Sequence, residues 1–363
     1  MIKKLLLAII IIAVAGALYA QDFKWIDGTE LGISGRRHIH DGYNRLIPSD
    51  MEKVKNCEAE WVYTLATNTA GLHIDFTTNA TEIKVRYDLN GTGTMPHMPG
   101  TGSHGCDIYV KVDGKWNFLY SPYPNLTDGH TEATMFSVQT YPLLKDPEYK
   151  TFSINLPLYA GVKSFQIGIP EGAEITPITY LDKRPVVVYG TSITQGGCAS
   201  RPGMVYTSIL RRNIDRDVYN LGFSGSALFE HLMSDIIISM NPSCVIIDPI
   251  ANMALIPLFD ERYTYFYTNF RAKYPTTPII FMEQVDFTNY WAIYPGASPQ
   301  NEQVDKLVEE WMKTDKNVYL IKSTELWGDD FEASVEGIHA TDLGFMRMSR
   351  PVIKTVKEAL KLK

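Results

Sequence analysis

"VVVYGTSITQGGCASRPG", residues 186–203, is the stretch on which the fold turns. An apolar, β-branched run leads straight into a tight turn of small residues, with one serine, Ser192, near its apex. A short unbroken apolar run bounded by turn residues reads as a strand buried on both faces, the kind that parallel sheets contain. In open parallel sheets ligands bind beyond the carboxyl ends of the strands, where the loops leave a crevice. Ser192 follows such a strand end directly. Serine and threonine in such turns ordinarily serve as caps, so the other strand ends must decide whether this one does chemistry.

Downstream the pattern repeats. "PVVVYG", "VYNLGFSG", "CVIIDPI", "PIIFMEQV" and "NVYLIKS" are five candidate strands separated by segments of helical period. In "NEQVDKLVEEWMKTD" Val304, Leu307, Val308, Trp311 and Met312 fall at i, i+3, i+4, i+7 and i+8, one face of a helix. A last helix from about Thr341 is expected to bury Met348, Val352, Ile353, Val356 and Leu360. Strands alternating with helices predict an α/β domain whose parallel sheet is covered on both faces.

Upstream, residues 22 to about 175 carry period 2 instead. In "GLHIDFTTNATEIKVRYDL" two alternating runs flank a polar turn, which predicts an antiparallel pair. "DIYVKVDGKWNFLY" places Asp113-Gly114 between two more runs, the signature of a type I′ hairpin. "FSINLPLYAGVKSFQIGI" adds two runs, with Pro157 suggesting an edge strand. The expectation is an all-β sandwich or jelly roll. A chain of 363 residues with 45% hydrophobic content is long enough for two such domains. The expected division is residues 1–20, a signal peptide; 21–178, the β domain; and 179–363, the α/β domain.

The signal reading rests on Lys3, Lys4, an apolar run from Leu5 to Leu18 and a small residue, Ala20, at a plausible cleavage point. Such a run is shorter than the roughly 20 residues of a spanning helix. The protein is therefore expected to be periplasmic or extracellular, without a stable membrane anchor. Without that segment the chain carries 32 basic and 41 acidic residues, a formal charge of −9, which argues against a nucleic-acid partner. Cys57, Cys106, Cys198 and Cys244 show no metal-like spacing; an exported protein permits them to pair as disulfides, with buried free thiols the preferred reading.

The other strand ends are unusual too. "NLGFSG" places Gly225 where a backbone N–H can approach a ligand without a Cβ in the way, and "IIDPIANM" brings the amide of Asn252 to the same sheet edge. An ester hydrolase needs donors aimed at the oxygen that turns negative in the tetrahedral intermediate. The Ser192 N–H, the Gly225 N–H and the Asn252 amide would supply three. A serine nucleophile also needs a base. His339, in "SVEGIHATDLGFMRMS", lies just before the final helix, and Glu336 three residues earlier could fix its tautomer.

Taken together, "GTS", "NLGFSG", "IANM" and "EGIH", in this order over residues 186–345, resemble the SGNH, or GDSL-type, serine esterases. The resemblance implies a flavodoxin-like three-layer domain with Ser192, Gly225, Asn252 and His339 in the four family roles. "GCDIY", together with "GGCASRPG", is similar to the branch whose catalytic domain follows a β domain with a GxDLY-type motif. That branch is regarded as carbohydrate-active or as otherwise uncharacterised acyl esterases. Three residues depart from the family pattern: Thr191 stands before the nucleophile in place of Asp, Ala340 replaces a frequent proline, and Glu336 stands where Asp is usual. The longer Glu336 side chain moves the carboxylate. Asp342 is an alternative acid, though helix capping explains it better.

The loop "LNGTGTMPHMPGTGSHGCDIY" is too long for an ordinary hairpin connection. It is expected to fold over the active site and to contribute His97 and Met98 to an acyl or sugar pocket, with Arg201 a candidate for binding an anionic substrate. His38 and His40 have a metal-pair spacing but no third ligand nearby, and Tyr263, Tyr265 and Tyr267 read as packing residues. The expected protein is a serine esterase, without metal or cofactor, that removes acetyl from a carbohydrate. The alternatives are a lipase- or thioesterase-like hydrolase, and a carbohydrate-binding protein with a degenerate site.

Overall fold

Among the described residues, the alternating residues of the N-terminal half build nine strands in two antiparallel sheets. The computed structural model describes residues 22–37, 42–56, 61–146, 148–214, 216–253, 259–287, 292 and 298–362. One sheet has the order β1 (Phe23–Asp27), β8 (Val162–Pro170), β3 (Glu82–Leu89), β6 (His130–Ser137). The other runs β5 (Lys115–Tyr120), β4 (Asp107–Val112), β7 (Lys150–Asn155), β2 (His73–Thr78), β9 (Ile175–Ile178). Inward residues of both sheets, among them Ile74, Phe76, Phe152, Val85, Phe136 and Phe165, form one buried core.

Two expectations are corrected here. β2 and β3 do not pair: β2 lies between β7 and β9, and β3 between β6 and β8. Alternation specifies which face is buried but not which strand lies alongside, and the short connection between them crosses from sheet to sheet. Pro157 marks no edge either. It lies beyond the end of β7, a central strand, and its carbonyl accepts the Thr69 hydroxyl at 2.6 Å. The β4–β5 hairpin has the predicted turn, with φ of 49° at Asp113 and 75° at Gly114.

The five apolar runs of the C-terminal half are β10 (Val186–Gly190), β11 (Val218–Gly222), β12 (Cys244–Asp248), β13 (Ile279–Met282) and β14 (Val318–Ile321). They form one parallel sheet in the order β11-β10-β12-β13-β14. Each of the first three is buried along its whole length. Val187, Tyr189, Val245 and Ile247 share one core with the helices His231–Ser239, Phe259–Lys273 and Pro299–Thr314. Val186, Val188 and Ile246 share another with the helices Tyr206–Asn213 and Asp342–Leu360. Of the expected helix face, Val304 and Val308 are buried, whereas Met312 is 37% exposed.

Buried polar contacts join the two halves. Arg211 donates to Asp75 at 3.0 Å and to Ser153 at 2.7 Å, and Arg45 donates to the carbonyls of Asn220 and Gly222 at 3.1 and 2.6 Å. Each pairs a group of the α/β half with one of the β half: Arg45 holds the β11 edge, and Arg211 ties the helix Tyr206–Asn213 to β2 and β7. Cys106, Cys198 and Cys244 are buried free thiols. Cys57, His38, His40 and the expected signal segment lie outside the described residues. No helix among the described residues is long and apolar enough to cross a membrane.

Candidate active site

At the end of β10 the chain enters the short helix Ser192–Gln195 at once. Thr191 is extended and caps it, its hydroxyl accepting the Ile193 N–H at 3.3 Å. Ser192 is the first helical residue, so its own N–H has no partner within the helix. The helix is pinned from below. The Asp248 carboxylate, buried at the end of β12, accepts the Thr194 hydroxyl at 2.9 Å and the Tyr206 hydroxyl at 3.2 Å. Burial pushes the Asp248 carboxyl up to about 7.

His339 comes to this turn from 147 residues away, with Nε2 2.9 Å from Ser192 Oγ. Its Nδ1 is bonded to the Glu336 carboxylate, which also accepts the His339 backbone N–H at 3.1 Å. An ionised carboxylate only accepts, so Nδ1 carries the proton and Nε2 faces the serine hydroxyl as acceptor. The loop is closed on itself by Val335 N–H to the His339 carbonyl, 2.8 Å, and Thr341 N–H to the Ala333 carbonyl, 2.8 Å. Within so small a loop the longer Glu336 side chain reaches the imidazole. Asp342 is engaged elsewhere, accepting the Ser200 N–H at 2.9 Å, and Thr341 rather than Asp342 caps the last helix.

Gly225 and Asn252 converge on the same edge. The turn Phe223–Ser226 closes with a 3.0 Å bond and holds Gly225 at φ +68°, a conformation that favours glycine. A Cβ at Gly225 would meet nothing within 4 Å, so this face is open. The Phe223 N–H donates to the Gly190 carbonyl at 2.8 Å, and the Asn252 amide donates to the Phe223 carbonyl at 3.3 Å. That amide retains a second donor hydrogen.

Two contributors escaped the sequence reading. Gln195 accepts the Ser224 N–H at 3.0 Å and donates to the Leu158 carbonyl at 3.2 Å, bracing the Ser192 helix against the Gly225 turn. Tyr159, from the β half, donates its hydroxyl to the Ser192 carbonyl at 3.2 Å. Burial holds its phenol well above the usual range, so it stays a donor. The close approach needs Gly197, where a Cβ would lie 3.0 Å from both His339 Cδ2 and the Tyr159 hydroxyl. No local signal marks Tyr159, because its partner is 33 residues away in the other half of the chain.

The long glycine-rich loop lies beside the site. The His97 ring is 5.5 Å from that of His339, and the Thr101 hydroxyl donates to the Ser200 carbonyl at 2.7 Å. Met98, expected to line a pocket, is 6% exposed and packs into the core that includes Ile193, Cys198 and Ala199. Arg201, expected to bind an anion, finds one inside the protein. It donates to Asp107 at 3.0 Å and to the Tyr109 hydroxyl, and stacks 3.7 Å over Phe118. Asp107 also accepts the Gly203 N–H at 2.8 Å and the Asn155 amide at 2.7 Å. The "GCDIY" segment thus clamps the chain that follows Ser192. Tyr263 is buried, while Tyr265 and Tyr267 stack on His231 and Trp311.

Comparison with known proteins agrees with this architecture. The GDSL-like lipase/acylhydrolase family matches residues 183–357, and the GxDLY family, the N-terminus of SGNH-hydrolase-type esterases, matches residues 23–175. A GDSL-like lipase from Bacteroides ovatus is 31% identical, with a TM-score of 0.82 over 94% of this chain and 99% of that one. A salicylyl-acyltransferase from a tetracycline biosynthetic pathway is 17% identical, with a TM-score of 0.72 over 93% and 97%. A family two carbohydrate esterase from Cellvibrio japonicus is 12% identical, with a TM-score of 0.59 over 94% and 99%. These last two share the fold. No curated protein matches the chain.

Proposed function

Since the chain belongs to the GDSL-like lipase/acylhydrolase family and is a carboxylic ester hydrolase, we propose that it removes small acyl groups, acetyl foremost, from carbohydrates through an acyl-serine intermediate. The observation that carries this reading is the continuous relay of Glu336, His339 and Ser192, in which Nε2 stands 2.9 Å from the hydroxyl it would deprotonate. His339 takes the Ser192 proton as Oγ attacks the ester carbonyl, and returns it to the departing alcohol. Water, deprotonated by the same imidazole, then cleaves the acyl-enzyme and releases the acid.

The oxyanion is held by the Ser192 N–H, the Gly225 N–H and the second hydrogen of the Asn252 amide. Asn252→Ala is expected to lower kcat about 10²- to 10³-fold with KM little changed. Steady-state kinetics on an aryl acetate check this, and a full-rate variant removes Asn252 from the assignment. His97, beside the imidazole, is the loop residue assigned to the acyl or sugar pocket. The residues that bear the relay belong to a catalytic domain over 179–363, preceded by a β domain over 21–178. Export through residues 1–20 accords with a polymeric glycan substrate, which a cell meets outside its membrane.

The carbohydrate assignment is supported by the fold shared with the Cellvibrio japonicus carbohydrate esterase. It is tested by acetate release from a panel of acetylated polysaccharides, with Ser192→Ala alongside. Release by the wild type and none by the variant is the expected result. Glycan binding without release by either would leave a carbohydrate-binding protein, and preference for long-chain esters a lipase-like hydrolase.

A further inference from the structure

Beside the relay, and sharing His339 with it, lies a cluster of potential metal ligands. His97, Cys198 and His339 each offer one ligand atom, and the three atoms all lie within 4.8 Å of one another. They come from three separate segments: the glycine-rich loop of the β half, the turn after the nucleophile helix, and the loop before the last helix. Two imidazoles and a thiolate form a donor set suited to zinc-class cations and unsuited to magnesium or calcium. With metal–nitrogen and metal–sulfur bonds of about 2.0–2.3 Å, tetrahedral ligand atoms stand roughly 3.3–3.6 Å apart. From separations within 4.8 Å, the ligand atoms therefore need to close by at most about 1.5 Å, which side-chain rotamer adjustments can supply.

We propose that His97, Cys198 and His339 form a binding site for a soft divalent cation of the zinc class, and that its occupation switches the esterase off. Coordination replaces the Cys198 S–H by a sulfur–metal bond and releases one proton to solvent, and the fourth position remains with water. Inhibition follows from where His339 already stands. Its Nδ1 is bonded to Glu336 and its Nε2 to Ser192, so whichever nitrogen takes the metal must give up one bond of the relay. The binding rests on geometry alone, while the loss of activity rests on the reading of His339 as general base.

The test uses the full chain in two measurements. Cobalt(II) added to the protein is expected to produce thiolate-to-cobalt charge-transfer absorption, which zinc bleaches and Cys198→Ser abolishes. Zinc is expected to inhibit aryl acetate hydrolysis reversibly, with activity restored by a chelator. In Cys198→Ser and His97→Gln the half-inhibiting concentration should rise by at least about tenfold, the low end of what even outer-shell partners contribute to metal affinity. Absence of the charge-transfer band in the wild type overturns the site, as does equal zinc sensitivity in the wild type and Cys198→Ser. The wild-type spectrum and His97→Gln decide the matter should Cys198→Ser fail to fold. Ser192→Ala should retain the cobalt band, so failure of the esterase reading and failure of the metal site remain separate results.

Discussion

Ser192→Ala is expected to lower kcat about 10⁶-fold, His339→Ala to match it, and the double variant to lose no more than either alone. The reason lies in the geometry of a single proton transfer. Ser192 Oγ becomes a nucleophile only as its proton passes across the 2.9 Å bond to Nε2, so removal of either end removes the whole step. What survives in all three variants is stabilisation by the oxyanion donors and substrate positioning, worth about 10³–10⁴ over water in other serine hydrolases. Neither change removes a core side chain, because Ser192 and His339 are both only half-buried, the first at the start of its helix and the second in a loop. Initial rates on an aryl acetate, with circular dichroism to show an intact fold, measure the effect. Losses that multiply in the double variant would mean that the two residues act independently, and the relay would have to be abandoned.

Glu336→Gln is expected to cost about 10³- to 10⁴-fold in kcat. The carboxylate accepts from two donors of one residue, the imidazole Nδ1–H and the His339 backbone N–H. It thereby fixes the tautomer that leaves Nε2 free and stabilises the imidazolium formed as the ester is attacked. An amide of the same shape can present its N–H to Nδ1, which selects the wrong tautomer and supplies no charge. The side chain of Glu336 is 36% exposed, so solvent screens part of its charge, and the lower end of the range is the closer expectation. Kinetics at fixed pH, with KM expected to stay within a few-fold, provide the measurement. A variant within tenfold of wild type would leave Ser192 and His339 working as a dyad.

Much of this was legible in the residues because it is local. Five β-branched runs of the right length, each ended by glycine or a turn, specify buried parallel strands whatever else the chain does. The strand ends that carry Ser192, Gly225 and Asn252 could be read in the same way, since topology alone brings them to one edge. The two-residue turn at Asp113-Gly114 was equally visible, because its positive φ angles are a property of the residues themselves. Strand partners were not visible in this sense. The alternation in β2 and β3 is identical whether they pair or face each other across the core, and the choice is made by the packing of Phe76, Phe152 and Phe136.

The sequence by itself thus determined the element types, the two architectures and the chemical character of each strand end, all of which follow from period and backbone preference. Only the tertiary structure decided distances between segments far apart in the chain. It set Nε2 of His339 against Ser192, brought Tyr159 of the β half under the nucleophile helix, and used Arg201 to hold Asp107 rather than a substrate. The physical reason is common to the three. A polar side chain takes whichever partner burial leaves within hydrogen-bond reach, and that choice depends on packing that no local pattern encodes.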